Sequence, residues 1–221
     1  MSATKILLVE GIDDQHVFEN LCLKRGILLN PKDKPNEGIH IKELKGVDKL
    51  LAWLEDLEVF LMTSDIKALG VVIDADIDLA ARWDSIKARL HKAEYQDIPA
   101  LPSPDGTIIS PPPDKLLPRV GIWIMPDNQA TGMLEDFLRF LVPTGSLLFD
   151  HVESSVASIP DGERRFSLLA KPKAIMHTWL AWQEEPGKPL GLAINCHYLE
   201  HEVAQVDVLI LWLNRLFFEE F

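Results

Sequence analysis

Three uninterrupted apolar runs, Ile6-Leu-Leu-Val9, Leu69-Gly-Val-Val-Ile73 and Val120-Gly-Ile-Trp-Ile-Met125, constrain this chain more than any other feature. A strand with one wet face alternates apolar and polar residues, so runs of this kind belong to strands covered on both faces, as in a parallel sheet between helices. The first run closes on Glu10-Gly11 and leads into a helical period at Val17, Phe18, Leu21 and Cys22, with Asp13 or Asp14 as its cap and an end near Gly26. A polar, proline-bearing loop over residues 30–38 precedes a short strand at Ile39 to Leu44 and a helix from Gly46 to Met62. The second run delivers Asp74-Ala75-Asp76, and a helix through Ala80, Trp83, Ile86 and Leu90 follows. The third leads through Pro126-Asp-Asn to Gly132 and a helix from Met133 to Val142. Strands alternating with helices imply right-handed βαβ units, and hence an α/β fold with a mainly parallel sheet flanked by helices.

Two segments depart from this alternation. Residues 98–118 carry Pro102, Pro104, Asp105-Gly106 and Pro111-Pro-Pro113 around the apolar Thr107-Ile-Ile109, which predicts a proline-rich insertion with a small edge hairpin, able to act as a lid. Residues 145–221 show helical periods at Leu147 to Val156, Pro172 to Trp182 and His201 to Phe218, and a short strand near Leu192 to Ile194. No long Gly/Ser linker or charge run separates this part, so it reads as a C-terminal helical layer. The expectation is one domain over residues 1–221: a βα core over 1–144 and a mainly helical extension over 145–221.

Charge limits what such a domain can bind. Lys and Arg number 22 against 34 Asp and Glu, a formal net charge of −12, which is a poor footprint for non-specific duplex binding. Contact with nucleic acid would therefore be local or carried by metal ions. Cys22 and Cys196 have no CxxC spacing, so they read as buried free thiols in a reducing compartment. No stretch approaches the roughly 18 apolar residues of a membrane span, and the apolar run after Lys5 is too short for a signal peptide. A cytoplasmic location with no membrane partner is the expectation.

In a parallel sheet the carboxyl ends of the strands share one edge, where ligands bind. Glu10, Asp74 and Asp76 each follow an apolar strand to that edge. If those strands are neighbours, the carboxylates converge, and like charges at close quarters need a proton or a divalent cation to neutralise them. The physical expectation is an all-oxygen site for Mg2+ or Mn2+.

The segments Leu-Leu-Val-Glu10-Gly11-Ile-Asp-Asp14 and Val-Val-Ile-Asp74-Ala-Asp76 resemble the two signature motifs of the Toprim domain. That domain is shared by topoisomerases, bacterial primases, overcoming-lysogenization-defect nucleases and a small ribosomal-RNA maturase. Trp123-Ile-Met-Pro126-Asp-Asn-x-x-x-Gly132-Met-Leu-Glu135-Asp136 resembles a motif of stand-alone Toprim-like proteins of bacteria and archaea with unassigned function, as does the tail with Lys171, Lys173, His177 and Trp212-Leu-Asn-Arg-Leu-Phe217. The resemblance implies that Glu10 is a general acid/base at a reacting phosphate, and that Asp74 and Asp76 hold Mg2+. It makes Glu135 a further ligand, with Gly11, Asp14 and Asp78 in support.

Phosphodiester cleavage of single-stranded or structured nucleic acid is the activity expected on these grounds. Tyr95 and Tyr198 have no nucleophile context for a topoisomerase, and a primase's zinc-binding and basic domains are missing. Lys171, Lys173 and His177 are the expected phosphate contacts, within a local positive concentration that also holds Arg164 and Arg165. The six tryptophans fall at helix or strand positions that predict core packing. Two other readings compete. One is a Toprim-like interaction module with a degenerate site and a protein partner; the other is a receiver-type phosphorylation domain, suggested by Ile-Leu-Leu-Val-Glu10, Met125-Pro126 and Lys171-Pro172. A nuclease should set cations beside the acids, whereas a binding module should expose an apolar patch.

Overall fold

A computed structural model describes residues 4–30, 37–55 and 65–219. In chain order the elements are β1 (Lys5–Val9), α1 (Ile12–Lys24), β2 (His40–Glu43), α2 (Val47–Glu55), β3 (Ala68–Asp74), α3 (Leu79–Lys92), β4 (Thr107–Ile109), β5 (Arg119–Met125), α4 (Leu134–Arg139), α5 (Leu147–Ala157), a 3-10 turn (Leu168–Ala170), α6 (Lys171–Ala181), α7 (Leu190–Asn195) and α8 (Ala204–Phe217). Most of the loop expected over 30–38, and the helix expected beyond Glu55, lie outside the described residues.

The sheet has five strands in the order β2-β1-β3-β5-β4. β1 runs parallel to β2 and to β3, and β3 runs parallel to β5. The proline-rich insertion contributes β4, which lies antiparallel to β5 at the edge. A short connection can return only an antiparallel strand, and Pro111-Pro-Pro113, with no N–H to donate, ends the ladder at once.

Each apolar run divides its side chains between two buried layers. Leu7 and Val9 of β1, Val72 of β3, and Trp123 and Met125 of β5 pack with α1 and the helices from α4 to α8. Ile6, Leu8, Leu69, Val71, Ile73, Val120, Ile122 and Ile124 pack on the other face, with Trp83, Ile86 and Leu90 of α3 and Leu50 and Leu54 of α2. This is why the runs contain no polar alternation.

The C-terminal layer fits the sheet through two glycines that stand opposite each other, Gly70 on β3 and Gly121 on β5. A Cβ on Gly121 would fall 2.4 Å from Leu216 Cδ2, and one on Gly70 3.0 Å from Phe217 Cζ. Together they form a notch that seats the end of α8, where any side chain would hold it away. Trp212, also on α8, packs against Trp123 with ring centroids 5.6 Å apart.

Three expectations change. Residues 192–194 are helical in α7, whose buried Leu190, Gly191, Ala193 and Ile194 follow Pro189; one and a half turns are too few to show a period. The helix expected to reach Val142 stops at Arg139, and its last carbonyls are met by tight bonds from Phe140 and Leu141 to Phe137 and Leu138, ahead of Pro143. Among the tryptophans, Trp182 is 43% exposed and lies against His151 rather than in the core. Tyr95 is buried, its hydroxyl donating to the Pro118 carbonyl at 2.7 Å, which leaves it no access to a phosphate.

Candidate functional site

The carboxyl ends of β1 and β3 are tied together by a carboxylate. Glu10 Oε1 accepts a hydrogen bond from the backbone N–H of Asp74 at 2.8 Å. Asp74 Oδ1 in turn accepts from the N–H of Leu134 at 3.1 Å, so it caps α4 from the neighbouring strand end. Side chains expected to bind a cation thus also join β1 to β3 and β3 to α4.

Asp14 enters from α1. The helix begins at Ile12, earlier than the expected cap residues allow, and Gly11 is its extended N-cap. Asp14 sits at the third helical position and reaches back to accept from the Gly11 N–H at 3.1 Å. α4 repeats the arrangement, with Asp136 accepting from the Met133 N–H at 2.9 Å. Asp78 is the N-cap of α3, accepting from Ala81 N–H at 2.9 Å, and is exposed.

Asp76 occupies a left-handed turn position with φ of 54°. Its N–H donates to Gly132 O at 2.9 Å, and its carboxylate pairs with Arg82 at 2.6 Å, while its charge still acts on Glu10 and Asp74. Gly132 has φ of 144°, and a Cβ there would fall 2.6 Å from the Asp136 carboxylate. Buried Asn128 holds the same loop, its Oδ1 accepting from Ile124 N–H at 2.7 Å. The Pro126-Asp-Asn…Gly132 motif is thereby a scaffold that brings the start of α4 under Asp74. Asn128 was not legible as a site residue; its only sequence signal is its place in a Pro-Asp-Asn turn.

Glu135 is the most enclosed acid of the group, 5% exposed, with Lys173 of α6 at 4.0 Å. Lys173 and His177 stand one helical turn apart on α6, and both draw the Glu135 carboxyl down against its burial. Lys171 lines a cavity that Glu135 also borders. The wider basic concentration is largely neutralised within itself, since Arg164 pairs with Asp161 at 2.9 Å and Arg165 lies 3.9 Å from Glu163. Among the described residues Lys171 makes no ion pair.

Burial and mutual repulsion dominate the electrostatics. Asp74 is pushed up to about 9, first by burial and then by the charges of Glu10, Asp14 and Glu135. Asp14 rises to about 7, by burial and then by Glu10. Burial also raises Glu10, against the bond from Asp74 N–H and the charge of Arg82; it raises Glu135 against Lys173. Glu10, Asp14, Asp74, Asp76 and Glu135 therefore act on one another as one group, with Arg82 and Lys173 offsetting their charge.

As the side chains stand, no group of three or more His, Cys, Asp or Glu among the described residues is gathered tightly enough to hold a metal ion. The donor chemistry nevertheless fits a hard divalent cation, since these are carboxylate oxygens that repel one another and each of Glu10 and Asp74 has one oxygen engaged by a backbone N–H. Glu10, Asp74 and Glu135 are the residues that could hold it, with Asp76 available only if it leaves Arg82.

Fold and site together define an α/β protein with a repelling carboxylate group at the carboxyl edge of a parallel sheet. The chain belongs to the family described as Protein of unknown function (DUF3226), whose model matches residues 4–218. No curated protein and no solved structure matches it. Among the described residues, no helix is long and apolar enough to cross a membrane.

Proposed function

We propose that this chain is a Toprim-like, Mg2+- or Mn2+-dependent phosphodiester-cleaving protein of the cytoplasm, acting on single-stranded or structured nucleic acid. The observation that carries the reading is the gathering of Asp74 with Glu10, Asp14, Asp76 and Glu135 at a sheet edge, where burial and those four acids push its carboxyl up to about 9. Such a group lowers stability unless something binds there. A cation held by Asp74 and Glu135, and by Asp76 once it leaves Arg82, would neutralise charge developing on a phosphate and orient the attacking oxygen. Glu10 is half-buried with a raised pKa, and Asp74 N–H fixes one of its oxygens. The other oxygen is the proton carrier, taking a proton from the attacking water or giving one to the leaving oxygen. Lys173 and His177 stand on the Glu135 side, where a phosphate's remaining charge would lie.

A specific observation favours a second reading, an interaction module. Ile77, Leu168 and Leu169 are 78%, 68% and 47% exposed and line one cavity beside Asp76. The receiver-type reading needs its lysine at a strand end, whereas Lys171 opens a helix.

The test is cleavage of labelled single-stranded and hairpin DNA and RNA in Mg2+ or Mn2+. Glu10→Gln should slow cleavage by about 100-fold or more with the fold intact by circular dichroism. Full-rate cleavage by Glu10→Gln overturns the catalytic role, and absence of any metal-dependent cleavage favours the interaction module.

A further inference from the structure

A cavity of 270 Å3 opens beside the carboxylate group, between α4, α5 and α6, with Glu135 in its wall. Phe149 of α5, Ile175 and Met176 of α6, and Leu168 at the rim give it an apolar wall, and Glu135, Asp136, Arg139, Glu153 and Lys171 also line it. Phe149 is fixed edge-on against Trp179 at 5.8 Å, so its ring is a rigid wall. Ligand sites usually span roughly 300–1,000 Å3, so this one suits a group the size of one flat ring system.

Charge completes the description. Lys171, the first residue of α6, lines the cavity and makes no ion pair among the described residues. On the opposite side Arg139 is held by Glu153 at 2.7 Å, with its guanidinium 5.8 Å from the Phe149 ring centre. The polar atoms that Glu135, Asp136 and Glu153 offer are carboxylate oxygens, which accept and do not donate. A ligand matching this wall has a flat apolar body, donor groups on one edge and an anion within reach of Lys171.

We infer that the cavity is a subsite for one nucleotide, taking a base with an exocyclic amino group against Phe149, with that amino edge toward Glu135 and Glu153 and the attached phosphate on Lys171. The inference rests on the proposed activity, and it supplies that activity with a preference for nucleic acid whose bases can leave the stack. α6 and Glu135 border both sites. Lys173 and His177 act toward the carboxylates, while Lys171, Ile175 and Met176 line the cavity, so a phosphate held by Lys171 is delivered beside the metal residues.

The experiment titrates the full chain with the four ribonucleoside 5′-monophosphates by calorimetry, and with Mn2+ in separate runs. Adenosine, guanosine or cytidine monophosphate should bind more tightly than uridine monophosphate. Lys171→Ala should weaken that binding about tenfold, the effect of one lost charge-assisted bond. Ile175→Trp should abolish it by filling the cavity; Ile175 is buried, so Leu168→Asp, at an exposed rim position, is the second variant and should repel the phosphate. Failure of all four nucleotides to bind, or unchanged affinity in both Lys171→Ala and Leu168→Asp, overturns the inference. Mn2+ binding without nucleotide binding overturns the subsite alone. Nucleotide binding sensitive to Lys171 with no Mn2+ binding upholds the subsite and overturns the metal reading.

Discussion

Asp74 is both a structural and an electrostatic residue. Its Oδ1 caps α4 through Leu134, while its charge is opposed by burial and by Glu10, Asp14 and Glu135. Asparagine keeps the acceptor and removes the charge. Asp74→Asn should therefore raise the stability of the metal-free chain near neutral pH, by about 0.5–2 kcal/mol in urea unfolding, and abolish Mn2+ binding. Asp74→Ala also loses the cap and should be about 0.5–2 kcal/mol less stable than Asp74→Asn. A destabilised Asp74→Asn that still binds Mn2+ would refute this account of the residue. The pH dependence follows from the same groups. Asp14 and Asp74 have folded pKa values of about 7 and about 9, above the ordinary 3.8, so between those limits the folded state holds more protons than the unfolded state. Stability without metal should then fall as pH rises from about 4 through 7 toward 9. Urea midpoints measured across that range would show it; a rise in the midpoint through neutral pH would contradict it. Glu10 and Asp74 were legible in the sequence because each follows an apolar run, and Glu135 through the resemblance carried by the segment from Trp123 to Asp136. The bond from Gly11 N–H to Asp14, the turn held by Asn128 and the pairing of Asp76 with Arg82 were not, because they depend on turn geometry and side-chain direction that hydrophobic periodicity does not carry.

Among the elements, α8 depends most visibly on a sequence feature of its partners. Gly70 and Gly121 sit in the middle of apolar strands, where glycine is unfavourable, and their role appears only when Leu216 and Phe217 are placed above them. Gly121→Ala should cost about 1–3 kcal/mol by overpacking. Much of that loss should be recovered when Leu216 is trimmed to alanine in the same chain, relative to the two single variants added together. Strict additivity in chemical denaturation would mean that the notch does not seat α8. The strands themselves were readable because burial on both faces leaves an unbroken apolar run. α7 was not, since a six-residue helix held by Pro189 and its packing carries too little periodicity to separate it from a strand.

For the molecule as a whole, the sheet edge gathers acids in a chain already of net charge −12, and among the described residues Arg82, Lys173 and His177 act to offset them. A cation binding there should stabilise the folded chain by about 2.7 kcal/mol at a free concentration one hundred times its Kd. The gain should be larger at pH 8 than at pH 5, because the ligands must be deprotonated. The most direct measurement is a calorimetric Mn2+ titration at pH 7, in two buffers of different ionisation heat, on the native chain and on Asp74→Asn. The expected result is binding to the native chain with release of about one proton per ion, and none to Asp74→Asn. Absence of binding to the native chain, or equal binding to both, would contradict a metal site built on Asp74.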